Sequence, residues 1–259
     1  MVKEYQEQLK ILYQNPKLYD EEYATLNRDV NFWIDYIEAN KIESVLELGC
    51  GSGRIGFHLI PRIKKYVGID LSEAFLQDFE LKLLNLGNKT KVRLIKGDMT
   101  NFCLDDKFDL IILPFNGICH LYSLAQVISM LSCVKRHMTK SSRFVIDCFN
   151  PDIAFLQSNK QRVLRNEFII KETGERICVY ETNEYLADTQ VNYIRRYYVN
   201  ESSGAETELH LPMKMYYPVE LDALLQLNGF LIQEKWGNYK GESFVSNSLK
   251  QIVCTKYPG

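Results

Sequence analysis

The 259-residue chain lacks a run of about 18 apolar residues, the length a helix needs to cross a membrane, so no span is expected. Its opening stretch, MVKEYQEQLK, is polar and has no apolar segment of the signal-peptide kind. Charge of one sign is not in surplus. Lys and Arg number 31 and Asp and Glu 33, for a net charge of −2. Such a balance creates no strong field for nucleic acid or an anionic membrane. Small basic clusters such as Lys64 and Lys65 read as solvated faces. No CxxC pair occurs among Cys50, Cys103, Cys119, Cys133, Cys148, Cys178 and Cys254. Their odd number and their places in apolar runs predict reduced, mostly buried thiols and a cytoplasmic protein. His58, His120, His137 and His210 are dispersed without zinc-ligand spacing, so no metal is expected. Low-complexity segments and internal repeats are absent.

What is present is an alternation of short apolar strands and amphipathic helices. Residues 1–28, rich in Tyr, Glu and Gln, predict a helical flap. Asp29 is placed to cap a helix to Asn40 with Phe32, Trp33, Tyr36 and Ile37 on its apolar face. SVLELG then reads as a buried strand, GRIGFHLIPRI as a helix and YVGID as a second strand. Ser72 caps a helix that Gly87 ends. KVRLIKG and FDLIILPF are strands, 123–137 a helix, and SRFVIDCF a further strand. This order predicts an α/β fold with a doubly wound parallel sheet covered on both faces.

Between 162 and 217 the period changes to two, with turn signals at Thr173-Gly174-Glu175, Ala187-Asp188 and Ser203-Gly204. About four antiparallel strands are expected there. Pro218 then starts a helix stopped by Asn228-Gly229, and two closing strands follow. The expected layout is a flap at 1–28, a Rossmann-like unit at 29–161 and 218–259, and an inserted antiparallel β lobe at 162–217. The lobe either shapes a pocket or pairs across a homodimer. Arg195 and Arg196, on opposite faces of one strand, read as salt-bridging groups, and Trp236 and Tyr239 as packing groups.

VLELGCGSGRIG carries four glycines between Gly49 and Gly56, at the end of a strand and the start of a helix. In a doubly wound sheet ligands bind outside the carboxyl ends of the strands. Glycines there allow a sharp turn or close approach of a ligand to the backbone. Three acids close three successive strands: Glu47, Asp70 and Asp98. A dinucleotide would set its pyrophosphate on the helix N-terminus, but Glu47 would bring negative charge towards it. An acid there suits a ligand with an ammonium group and no phosphate. The amino-acid end, ribose diol and adenine of S-adenosylmethionine match Glu47, Asp70 and Asp98 in order.

These motifs, VLELGCGSGRIG, GIDLS and GDM with the two closing strands, resemble the class I S-adenosylmethionine-dependent methyltransferases over roughly residues 30–257. The resemblance implies a seven-stranded, mostly parallel sheet with a reversed last strand. It implies that Glu47, Gly49, Cys50, Gly51 and Gly53 hold the methionine part and Asp70 the ribose hydroxyls. Leu71 would pack by the adenine, which Asp98 and Met99 flank, and Pro114 and Phe115 would complete the cofactor set. The product is then S-adenosylhomocysteine.

LPFNGICHL lacks the Asn/Asp-Pro-Pro-aromatic motif of nucleic-acid amino methyltransferases, and no basic stripe compensates. LYDEEY, NGICHL and the antiparallel insert are instead similar to small-molecule N-methyltransferases acting on amino sugars. That similarity implies that Tyr19 and His120 face the transferring methyl. Asp147 and Asn150, which border the crevice, join Tyr23 and Asn116 as weaker substrate candidates. The implied chemistry is in-line displacement by a neutral amine, in which His120 either orients the amine or takes a proton. Competing readings are a transfer-RNA or other nucleic-acid methyltransferase, a dehydrogenase, and a non-catalytic cofactor-binding protein of the same fold.

Overall fold

A computed structural model describes residues 2–84, 86, 90–158 and 161–258. Apolar runs form the inner strands β1 (Ser44–Leu48), β2 (Lys65–Asp70), β4 (Phe108–Leu113), β5 (Met138–Phe149) and β11 (Lys250–Lys256), and the more exposed β3 (Lys91–Lys96) and β10 (Leu231–Trp236) form the edges. They make one sheet in the order β10-β11-β5-β4-β1-β2-β3. β3, β2, β1, β4 and β5 run parallel. β11 is antiparallel to both neighbours, β5 and β10, and is the reversed last strand. β1 lies between β2 and β4, so the chain order switches direction at its carboxyl end, where the glycine loop begins.

Helices α3 (Arg28–Ala39), α4 (Gly56–Leu59), α5 (Glu73–Leu83), α6 (Leu124–Arg136) and α8 (Pro218–Leu227) accompany this sheet. Ser72 caps α5 through its hydroxyl, and Ser123 forms a capping box with Gln126 at α6. Two local expectations need correction. Asn27, not Asp29, occupies the N-cap of α3, and Asp29 is buried against the Arg54 guanidinium. The expected helix over GRIGFHLIPRI shrinks to α4 and a 3-10 turn, Ile60–Arg62. Turns occupy 51–55 because Gly49, Gly51 and Gly53 all adopt positive φ, outside the helical region. The Gly87 stop lies outside the described residues.

The period-two block forms a second sheet, β6 (Val163–Ile169), β7 (Arg176–Leu186), β8 (Val191–Asn200) and β9 (Glu206–Lys214), antiparallel and in sequential order. It is preceded by α7 (Ile153–Ser158). Ile194, Met213 and Met215 enter the main core, which joins the two sheets. Tyr122 donates to the Pro212 carbonyl at 2.9 Å across the same seam. Among the described residues no helix is long and apolar enough to cross a membrane.

The flap is α1 (Val2–Leu12) and α2 (Pro16–Tyr23). Its apolar side meets the second sheet through Tyr5, Leu9 and Leu18. A buried ion pair fastens it: Glu22 meets Arg196, which also bonds Glu181 at 2.9 Å and Tyr198 at 2.8 Å. Removing Glu22 leaves the buried Arg196 charge only partly compensated, by Glu181. Glu22→Ala is therefore expected to cost about 3 kcal/mol in urea unfolding and to make the flap the first site of limited proteolysis. Unchanged stability and cleavage would contradict that fastening.

Candidate active site

The glycine loop is built by exclusion of side chains. A Cβ at Gly53 would collide with the Phe79 ring, and one at Gly56 with the Tyr66 hydroxyl. At Gly49, with φ +70°, nothing lies within 4 Å of a Cβ position, so bare backbone faces open space. Cys50 is buried and packs against Gly68, and burial pushes its thiol well up. Its N–H donates to the Ile69 carbonyl at 3.1 Å and its carbonyl accepts from the Gly53 N–H at 3.0 Å, so Cys50 shapes the loop.

Asp70 ends β2 and reaches back to that loop. Its Oδ2 accepts from the Gly51 N–H at 2.8 Å and its Oδ1 from the Ser72 N–H at 2.8 Å. Burial raises its pKa, while the N–H groups of Ser72, Gly51 and Leu71 pull the other way. Each oxygen keeps a lone pair for another donor. Beside it Leu71 is 64% exposed, an apolar side chain with nothing over it. Asp98 turns its Oδ1 onto Thr100, N–H at 2.7 Å and hydroxyl at 2.8 Å. Met99 packs on the main core.

Glu47 sits beneath the loop, 1% exposed, and accepts from the Tyr66 hydroxyl at 2.7 Å. Burial pushes its carboxyl up to about 8, against the pull of Tyr66 and Arg54. Burial outweighs the nearby Arg54 guanidinium, so this acid holds its proton far above the ordinary carboxylate range.

Pro114 is buried where β4 ends, and Phe115 and Asn116 that follow both have positive φ, +50° and +65°. Such backbone in non-glycine residues needs outside support. Asp147, fully buried on β5, supplies it. Its Oδ2 accepts from the Phe115 N–H at 3.0 Å and the Tyr239 hydroxyl at 2.6 Å, and its Oδ1 faces Lys250 at 3.1 Å. Its carbonyl accepts from the Asn116 N–H at 2.9 Å, and Lys250 donates to Asn116 Oδ1 at 3.1 Å. The Asp147 carboxylate is thus committed internally, and Asn150 donates to the Ser248 carbonyl at 2.8 Å.

The turn carries Gly117–His120, a 3-10 segment, to the flap. His120 Nε2 lies 3.1 Å from the Tyr13 hydroxyl, while its Nδ1 is buried without a partner among the described residues. Burial lowers the imidazole to about 4, so the ring is neutral at pH 7. Tyr19 and Tyr23 meet at a tilt, 4.7 Å between ring centroids, and Tyr23 meets Phe115 at 5.2 Å. Tyr19 also contacts Phe75 and Tyr13 edge-on. Two surface cavities, of about 520 and 350 Å³, open along the seam of flap and second sheet, away from the glycine loop.

Several residues of this arrangement escaped sequence reasoning. Asp20 accepts from the Ser52 hydroxyl at 2.6 Å and pairs with Lys82, which also donates to the Ser52 carbonyl at 2.9 Å. Arg54 lies over the Phe115 ring at 4.2 Å. Tyr13 and Asp147's partners Tyr239 and Lys250 are equally long-range. The Tyr-Asp pair drew attention to Tyr19, and the neighbouring Asp20 carried the same signal.

This strand order with its reversed final strand, and a glycine loop opposed by an acid at the end of β2, make up a fold shared with solved S-adenosylmethionine-dependent methyltransferases. Residues 45–141 match the methyltransferase domain family, so the chain carries such a domain. Over 210 residues it is 22% identical to a cypemycin N-terminal methyltransferase from Streptomyces sp, covering 81% of each chain. A solved S-adenosylmethionine-dependent methyltransferase from Clostridium acetobutylicum superposes with a TM-score of 0.76 at 19% identity, over 93% of this chain and 97% of that one. An amino pentose methyltransferase from Micromonospora echinaspora gives 0.68 at 18% identity, over 88% and 89%.

Glu47 offers a test by pH. Its unfolded carboxyl loses its proton near 4.5 and its folded one near 8. Between these values the folded chain holds the extra proton, so stability falls as pH rises. Glu47→Gln is expected to remove that slope and to gain Tm over the parent at pH 8 relative to pH 5. Parallel pH profiles of the two proteins would contradict the buried, neutral acid.

Proposed function

We propose that this protein transfers a methyl group from S-adenosylmethionine to the nitrogen of a small-molecule amine. The observation that carries the amine reading is the neutral, half-buried His120, whose buried Nδ1 is unpartnered among the described residues, beside the flap tyrosines. The cofactor fits the residues present. Gly49 leaves room against bare backbone, Asp70 has acceptor capacity for a ribose diol, and exposed Leu71 offers a face for the adenine. Cys50, Gly51 and Gly53 would shape the methionine end, with Glu47 below it ionising as the ammonium group arrives. Asp98, Met99, Pro114 and Phe115 would border the adenosine.

When bound, S-adenosylmethionine supplies an electrophilic sulfonium methyl open to in-line attack. The protein's part is to bind, align and exclude water. An amine attacks only when neutral, and a desolvated aromatic surround lowers an amine's pKa. Tyr13, Tyr19, Tyr23, Phe75 and Phe115 provide that surround, and aromatic rings also favour the positive charge that passes from sulfur to nitrogen. A protonated His120 would repel that charge, and burial keeps it neutral. Its Nδ1 can accept an N–H of the amine and hold the nitrogen lone pair on the methyl. His120 therefore orients, and the product ammonium loses its proton to water on release. Asp147 acts at one remove, by holding the turn that places Phe115, Asn116 and His120. Asn116 and Tyr23 would border the acceptor, with Arg196 behind Tyr23 at 3.5 Å. The second sheet would support the acceptor's side of the site indirectly, through the flap that packs on it.

Titration calorimetry with S-adenosylmethionine and S-adenosylhomocysteine is expected to show binding that Asp70→Ala abolishes. Transfer of labelled methyl should then be followed to an amino-sugar nucleotide, a peptide with a free N-terminal amine, and bulk transfer RNA. Labelling of either amine, reduced about 10- to 100-fold in kcat by His120→Gln, is the expected result. Labelling of RNA alone, with salt-sensitive binding, would overturn the small-molecule reading.

A further inference from the structure

We propose that Tyr13 is a positioning residue for methyl transfer: its hydroxyl fixes the ring of His120 in the tautomer whose Nδ1 lone pair faces the acceptor amine. The proposal rests on reading His120 as the residue that meets the acceptor.

Tyr13 stands in the turn between α1 and α2 and is held at both ends. Its N–H donates to the Leu9 carbonyl at 2.9 Å, and its own carbonyl accepts from the Ser72 hydroxyl at 2.9 Å. Ser72 is two residues beyond Asp70, which it bonds through its N–H. One flap residue therefore touches both the end of β2 and the histidine. The Tyr13 ring meets Phe75 edge-on at 5.8 Å and His120 edge-on at 5.8 Å. Burial pushes the phenol far up, so it stays protonated and uncharged. The ring of His120 is packed edge-on to Tyr13 and bonded at Nε2, leaving Nδ1 as its only uncommitted polar atom.

A neutral imidazole carries one proton, and the two placements have different consequences. With the proton on Nδ1, a donor would point at the amine and compete for the lone pair that must attack carbon. With the proton on Nε2, that N–H donates to the Tyr13 hydroxyl oxygen, and Nδ1 accepts from the amine. The amine lone pair is then free for the methyl. Only the second placement helps transfer, and the Tyr13 hydroxyl oxygen, 3.1 Å from Nε2, supplies the acceptor it needs. Without that oxygen the half-buried Nε2–H would lose its partner, at a cost that shifts the tautomer balance.

Tyr13→Phe keeps the ring contacts and the backbone bonds and deletes the hydroxyl alone. The readout is nitrogen NMR of protein labelled with 15N-histidine, with S-adenosylhomocysteine present and His120 identified by its loss in His120→Gln. In the parent protein the His120 Nε2 is expected to carry the proton and Nδ1 to be bare. In Tyr13→Phe the preference is expected to fall at least about 10-fold, with the two nitrogens moving towards a common averaged shift. A proton on Nδ1 in the parent protein would overturn the proposal, whether or not the variant folds. So would an unchanged Nε2–H tautomer in Tyr13→Phe. A His120→Gln enzyme as active as its parent would sink the role of His120 instead, whatever the tautomer, and the two failures are read by different experiments.

Discussion

The Asp70 carboxylate is the tie on which the candidate site depends. It crosses from the end of β2 to the loop after β1, bonding Gly51 on one side and Ser72 on the other. Backbone N–H groups are the right partners, because they fix the loop's path without filling it with side chains. The glycines at 49, 51 and 53 make that path attainable through positive φ. Burial opposes the charge on Asp70 and the N–H donors support it, so the acid is held where an incoming hydroxyl pair would add two further donors.

Everything above the loop is fastened to it by polar contacts rather than by apolar packing alone. Asp20 grips Ser52 and Lys82, Tyr13 grips Ser72, and Arg54 grips Asp29 and the Leu26 carbonyl. Glu22 and Arg196 anchor the other side of the flap to the second sheet. The flap is thereby a roof shared by both sheets. Asp147 performs the matching task from below, holding two left-handed residues so that His120 rises towards that roof.

Much of this was readable from residues alone, and the division has a physical cause. Strands of the parallel sheet are buried on both faces, so their apolar runs stand out, as SVLEL and FDLIIL do. Ser72 and Ser123 are local caps, and local chemistry leaves local marks. The period-two insert was legible in the same way. Asp29 failed because a carboxylate before an apolar helix looks like a cap, whereas its partner Arg54 is 25 residues away. Asp147 and Tyr13 were harder still. Their partners are 32 and 107 residues distant, and one tyrosine among sixteen carries no mark of its own. Glu47 stands in the motif itself, but its raised pKa comes from burial, against the pull of the Tyr66 hydroxyl, and no motif encodes that.

A crystal structure of the protein with S-adenosylhomocysteine tests the central claim most directly. The account predicts the ribose hydroxyls on the two Asp70 oxygens at hydrogen-bond distance, about 2.7 Å, the adenine over Leu71, and the sulfur facing Tyr19 and His120. A nucleoside held by another acid, or a sulfur turned away from His120, would contradict it.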